Sequence, residues 1–167
     1  MDRKIATRRH AREWAVQMLV AADVNPQDCG TEEFISSMWD MVDDPGAGVE
    51  AATAPAESGA AESKEAARAA KKRRDMHDFA AAIVSGVLSS VDEIDGILGG
   101  LLDKWDISRL GTIERAVLRM GVWEMKYGKT PAPVAINEAI DIANWFSGPK
   151  TRAIVNGVLD KYAKSPT

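Results

Sequence analysis

The chain has 167 residues, with 21 basic and 25 acidic side chains and a formal net charge of −4. That length and an apolar content of 46% allow one well-filled core, and the acidic balance excludes a generic polyanion binder, so any affinity for phosphate must be local. The single cysteine, Cys29, excludes a disulfide framework or a cysteine-based zinc site within one chain.

Helical spacing recurs along the sequence, and no window alternates apolar and polar residues as a strand would. The first helix is expected over about Ile5 to Ala22. There Ala11, Trp14, Ala15, Met18, Leu19 and Ala22 form one apolar stripe, and Asn25-Pro26 stops it. Its start is strongly basic: five bases and one acid fall in the first twelve residues. Arg8 and Arg12 are one turn apart and flank the apolar stripe, while Arg9 points further outward. Arginines at a helix start oppose the helix dipole, so helix stability is a poor reason for them. Pairing of guanidinium with phosphate is a better reason, and a solvated, flexible terminus fits as well. The same terminus, MDRKIATRRHAR, has no apolar core of a secretory signal, and no run of about 18 apolar residues marks a membrane span. A cytoplasmic protein is the expectation.

Thr31 is a suitable N-cap for a second helix, with Glu32 and Glu33 in the first turn and Phe34, Ile35, Met38 and Trp39 on the buried side. From Asp43 to Ser63 the composition turns small and acidic, with five carboxylates, no base and two prolines. Such a segment cannot offset its ordering entropy and is expected to be a disordered insertion. Lys64 to Arg74 follows with six bases and one acid, and its alanines favour a solvated outward extension of the next helix.

That third helix carries Met76, Ala80, Ile83, Val87 and Val91. A short fourth has Ile94, Ile97, Leu98, Leu101 and Leu102. The fifth, Thr112 to Tyr127, is apolar nearly all round and should be central, with Gly128 just past its end. Pro131 and Pro133 then allow a sixth helix, VAINEAIDIANWF, to begin. Ser147, Gly148 and Pro149 break it before a seventh, Thr151 to Tyr162. The result is an all-α bundle of about seven helices. N-terminal helices at about 4–42 and a C-terminal helical part at about 64–164 share one domain around the 43–63 insertion.

No Gly-rich phosphate loop is present, and neither His10 nor His77 has a partner at metal-ligand spacing. No catalytic residue, metal or cofactor is expected. Acid–base chemistry at Glu138 would need a second buried acid, and Asp141, three residues on, can face solvent with it. Asn137 and Asn156 read instead as a polar clamp between the last two helices, with Gly157 permitting close approach.

Four segments in this order, RRHAREWAVQML, IERAVLRMGVWEM, VAINEAIDIANWF and IVNGVLDKYAK, resemble the NusB family of bacterial transcription antitermination factors. The resemblance spans the first helix and nearly everything from Met76 to Lys164, and leaves out Asp43–Arg74, which looks like an insertion between helices two and three. It implies an all-helical fold of two packed subdomains and a non-enzymatic role. It further implies binding of the boxA element of nascent ribosomal RNA transcripts together with the ribosomal protein NusE, in an antitermination complex with RNA polymerase. The family's arginine-rich N-terminus touches RNA, which favours Lys4, Arg8, Arg9 and Arg12 as RNA contacts. Lys129 joins them from the loop before helix six, where relatives often carry an acid. Both a monomer and a homodimer stay open. A similar module occurs in ribosomal-RNA cytosine methyltransferases, but no methyl-donor domain or cysteine nucleophile motif follows it here. A protein-binding scaffold without RNA specificity is the third reading.

Overall fold

The computed structural model describes residues 3–26, 30–43, 61–102 and 106–165. They form seven helices: α1 (Arg3–Val24), α2 (Thr31–Asp43), α3 (Ala61–Ser89), α4 (Val91–Leu101), α5 (Thr112–Lys126), α6 (Ala132–Ser147) and α7 (Pro149–Lys164). One turn of 3-10 helix, Ile107–Arg109, precedes α5, and no strand occurs among the described residues. No helix of the described residues is long and apolar enough to cross a membrane.

The helices fall into two groups, α1 to α3 and α4 to α7, joined where α1 and α3 both pack on α5. Helix α5 is central because it is apolar on more than one side. Ala116, Val117, Leu118, Met120 and Val122 are buried, and the helix also touches α4, α6 and α7. Gly86 lets α3 lie directly against the Trp123 indole of α5, whose ring atoms occupy the space a Cβ would need. In the first group, Trp14 of α1 stacks on Trp39 of α2 at 4.8 Å between centroids, and Trp39 stacks on His77 of α3 at 3.8 Å. His77 is thus a packing residue.

Several boundaries differ from the sequence reading. Helix α3 runs through Lys64–Arg74 as the expected outward extension but begins earlier, at Ala61, and Val91 opens α4 after a break at Ser90. Of the stretch read as a disordered insertion, Asp43 closes α2 and Ala61 opens α3, while 44–60 lie outside the described residues. Helix α7 starts at Pro149, because Gly148 adopts φ +86, a left-handed conformation open to glycine, and turns the chain in one residue.

A second link between the groups is ionic. Asp23 of α1 accepts from Arg115 at 2.6 Å and from Arg119 at 2.9 Å, both on α5, and Arg119 also forks onto Asp95 of α4 at 2.8 and 2.7 Å. The hydrogen bonds to Asp95, ahead of those to Asp23, hold the Arg119 guanidinium above its ordinary pKa. Burial pushes Asp23 upward, but the bonds from Arg115 and Arg119 outweigh it, so its pKa is lowered from 3.8. A carboxylate with a depressed folded pKa gives its full stabilisation above the unfolded value and loses it as pH falls through the folded one. Asp23→Asn should therefore melt below wild type at neutral pH, and the gap should narrow as pH drops below 3.8. A thermal melt series from pH 7 downward checks this, and a gap that stays constant with pH contradicts it.

Candidate nucleic-acid interface

The basic start of α1 does not present its arginines alike. Ala11, Ala15, Met18 and Leu19 pin α1 to the core. That orientation turns Arg8 outward and exposed, leaves Arg9 at the rim, and drives Arg12 inside, where it is 4% exposed. Arg12 donates from Nε to Glu124 of α5 at 2.9 and 3.1 Å and from Nη2 at 2.8 Å. Its Nη1 lies 3.6 Å from Glu138 of α6. Glu124 is itself 1% exposed, so this is a buried, forked ion pair that ties three helices together.

Glu124 also holds the loop after α5. Thr130 donates from its hydroxyl to the Glu124 carboxylate at 3.1 Å and from its backbone N–H to the Glu124 carbonyl at 3.0 Å. Gly128 donates to the Trp123 carbonyl at 3.0 Å, and its α-carbon passes so close to Glu124 that a Cβ would lie 3.0 Å from that backbone. Between these anchors sits Lys129, exposed, with φ 53 in the left-handed region. Such a backbone costs a non-glycine residue on the order of 1–3 kcal/mol and persists where the surroundings fix it. The loop therefore presents Lys129 in a set position.

At the rim, Arg9 donates to Glu138 at 3.2 and 3.1 Å and to Asp141 at 2.6 Å. The Glu138 bond, chiefly, holds the Arg9 guanidinium above its ordinary pKa. Glu138 and Asp141 are thus neither an acid–base pair nor idle surface acids. They are the counter-charges of α1. Arg8 lies over the Phe79 ring of α3, its guanidinium carbon 4.8 Å from the centroid, and Arg12 reaches the same ring at 5.2 Å. Arg8 is exposed there, so its charge is accessible to a phosphate.

Arg12 must therefore be removed from the accessible contacts expected from sequence. Its charge is buried against Glu124 and is not available to a ligand. Lys4 lies in the first turn of α1, where only the backbone is described. The expected clamp is overturned as well. Asn137 and Asn156 are both exposed, and a Cβ at Gly157 would meet nothing within 4 Å, so Gly157 permits no close approach. The buried side of α6 is Ala135, Ala139, Ile142 and Ala143, which puts Asn137 on the opposite side. In α7 the buried residues are Thr151, Val155, Val158 and Leu159, and Asn156 lies off that face. A polar clamp does exist, but it is Arg12 with Glu124, and Glu124 was missed. The available signal was a lone carboxylate inside the apolar run MGVWEM, which a central helix can bury only against a base.

Removing one member of a buried ion pair strands the other charge and typically costs about 3–5 kcal/mol, whereas replacing both by apolar groups of similar volume is often neutral. Arg12→Met should thus destabilise the protein by about that amount, and Arg12→Met combined with Glu124→Leu should recover much of the loss. Urea unfolding of the single and double variants measures this. A single variant as stable as wild type would mean that the pair does not hold the helices.

The NusB family model matches residues 9–164. The transcription antitermination protein NusB of Helicobacter hepaticus is 31% identical over 164 residues, covering 98% of this chain and 85% of its own. That of Campylobacter fetus is 38% identical over 94 residues, 56% of this chain and 72% of its own. Among solved structures, T. maritima NusB superposes with a TM-score of 0.69 at 24% identity, covering 95% of this chain and 91% of that one. A complex of the antitermination factors NusB and NusE with double-stranded RNA gives 0.69 at 23% identity, with 98% of each chain covered. These two structures share the fold. By the family match over nearly its whole length and by the H. hepaticus relative, the chain belongs to the NusB family.

Proposed function

We propose that this protein is an RNA-binding transcription antitermination factor. In this reading it binds boxA-type RNA of nascent ribosomal transcripts together with ribosomal protein NusE and supports processive transcription by RNA polymerase. The carrying observation is the exposed Arg8 guanidinium, stacked on Phe79 at 4.8 Å beside an otherwise neutralised cluster. Two relatives bear the name transcription antitermination protein, and a NusB of the same fold has been crystallised with NusE and RNA. The protein acts by binding and assembly rather than by catalysis. Its setting is the cytoplasm, where transcripts emerge.

The mechanism is electrostatic selection by position. A net charge of −4 repels polyphosphate on average, so binding needs bases whose charge is not already spent. Arg12 is spent on Glu124, and Arg9 is largely compensated by Glu138 and Asp141. Arg8 and Lys129 keep exposed charge, and Lys4 belongs to the first turn of α1. Arg9, partly exposed, could trade Asp141 for a phosphate at little cost, since its Asp141 bond is solvent-accessible.

Each phosphate neutralised on single-stranded RNA contributes about −0.7 to the log–log salt slope of affinity. Arg8→Ala and Lys129→Ala should each weaken binding of a boxA oligomer and flatten that slope by about 0.7, with the melting temperature nearly unchanged. NusE should tighten wild-type binding, and a scrambled oligomer should bind more weakly. A salt titration by fluorescence anisotropy, run beside thermal melts, checks both. Equal affinity for boxA and scrambled RNA, or slopes untouched by both substitutions, would put the RNA surface elsewhere or remove it.

A further inference from the structure

The described side chains of the N-terminal half of α3 make no contribution to the core. Every residue from Ala67 to Asp75 is exposed, as is Lys64, and partial burial begins only at Met76 and His77. Six bases and one acid lie between Lys64 and Arg74. Lys64, Arg68, Lys71, Asp75 and Phe79 follow one another at four, three, four and four residues, so they share one helix face. Arg74 borders that face. Among the described residues, no carboxylate engages Lys64, Arg68, Lys71 or Arg74. The foot of the stripe is Phe79, the ring on which Arg8 lies. At about 1.5 Å per residue the stripe runs roughly 22 Å outward from that point.

Helix stability does not call for these bases, because cations in the first turns of a helix oppose its dipole. Packing does not either, since the segment's apolar residues are alanines. That also bears on the occupant. A folded protein partner needs large side chains to anchor it in a desolvated centre, and this stretch offers none. A sugar-phosphate backbone needs only a line of accessible positive charge.

We propose that Lys64, Arg68, Lys71 and Arg74 form a second phosphate-binding surface, which continues the Arg8 surface outward along α3 and holds RNA flanking the segment bound at Arg8. The proposal rests on the RNA-binding reading above and adds to it a longer footprint. Asp75 and Asp78, the acids on this face, separate the stripe from Arg8 and divide the footprint into two parts.

The test compares the full chain with a variant carrying Lys64→Gln, Arg68→Gln, Lys71→Gln and Arg74→Gln, since glutamine keeps helix propensity and removes charge. Two single-stranded RNA probes are titrated against salt: a boxA oligomer, and the same oligomer lengthened by about eight nucleotides on each side. The variant should match wild type on the short probe. On the long probe it should bind more weakly, with a slope flatter by about 1.4 to 2.8, two to four contacts at about 0.7 each. A Lys64→Arg, Lys71→Arg variant keeps the charge and should bind the long probe as wild type does. Circular dichroism should show the same helix content in all three proteins. Equal slopes for wild type and the glutamine variant on the long probe would overturn the stripe and leave the Arg8 surface standing. Failure of wild type to bind either probe would overturn the RNA-binding reading, and the stripe with it.

Discussion

One buried ion pair sets the geometry on which the surface depends. Arg12 and Glu124 are 4% and 1% exposed, and three nitrogen–oxygen contacts between 2.8 and 3.1 Å join them. Desolvating two charges is expensive, and the pair persists because the fork is satisfied from several sides. Thr130 supplies a further hydrogen bond to Glu124, and Glu138 lies 3.6 Å from the second guanidinium nitrogen. The orientation of α1, the path of the α5–α6 loop and the approach of α6 are therefore fixed at one point. Apolar packing alone is non-directional. A fork accepts few geometries.

From that point outward the charges grade from spent to available. Arg12 is internal, Arg9 is held at the rim by two acids, and Arg8 lies exposed over Phe79. Lys129 projects from a loop tied down by the same Glu124. An acidic protein can offer a polyanion a small positive face in this way without becoming a general polyanion binder. The Asp23–Arg115–Arg119–Asp95 network does comparable work at the other end of α1, with both arginines of α5 engaged on acids from two other helices. Four arginines, Arg9, Arg12, Arg115 and Arg119, thus serve as struts between helices, whereas Arg8, Arg68, Arg74, Arg109 and Arg152 are exposed.

The helices were legible because apolar spacing survives in each of them: the stripe of α1, the all-round apolarity of α5 and the break at Gly148 all have local causes. The site was less legible because its logic is tertiary. Arg12 sits on the border of the α1 stripe, and a helical wheel cannot say whether a border residue points at solvent or into a neighbouring helix. Only the approach of α5 decides that. Glu124 passed unnoticed among apolar neighbours for the same reason. Asn137 misled in the opposite direction. Helix α6 packs through Ala135, Ala139, Ile142 and Ala143, with Ile136 and Ile140 partly buried beside them, and Asn137 is left exposed on the other side. The length of α3 was half-visible, since the alanines of KEAARAAKKRR favour helix, but its start at Ala61 lay inside a stretch whose acidic composition suggested disorder.

The central claim is a division of labour, with Arg12 holding the helices and Arg8 meeting the ligand. Side-chain Nε–H resonances report on each arginine separately. In a 15N-labelled sample titrated with boxA RNA, the Arg8 signal should shift, while the Arg12 signal should stay in place and exchange slowly with water before and after RNA is added. A fast-exchanging Arg12 signal that moves with RNA while Arg8 stays still would contradict it.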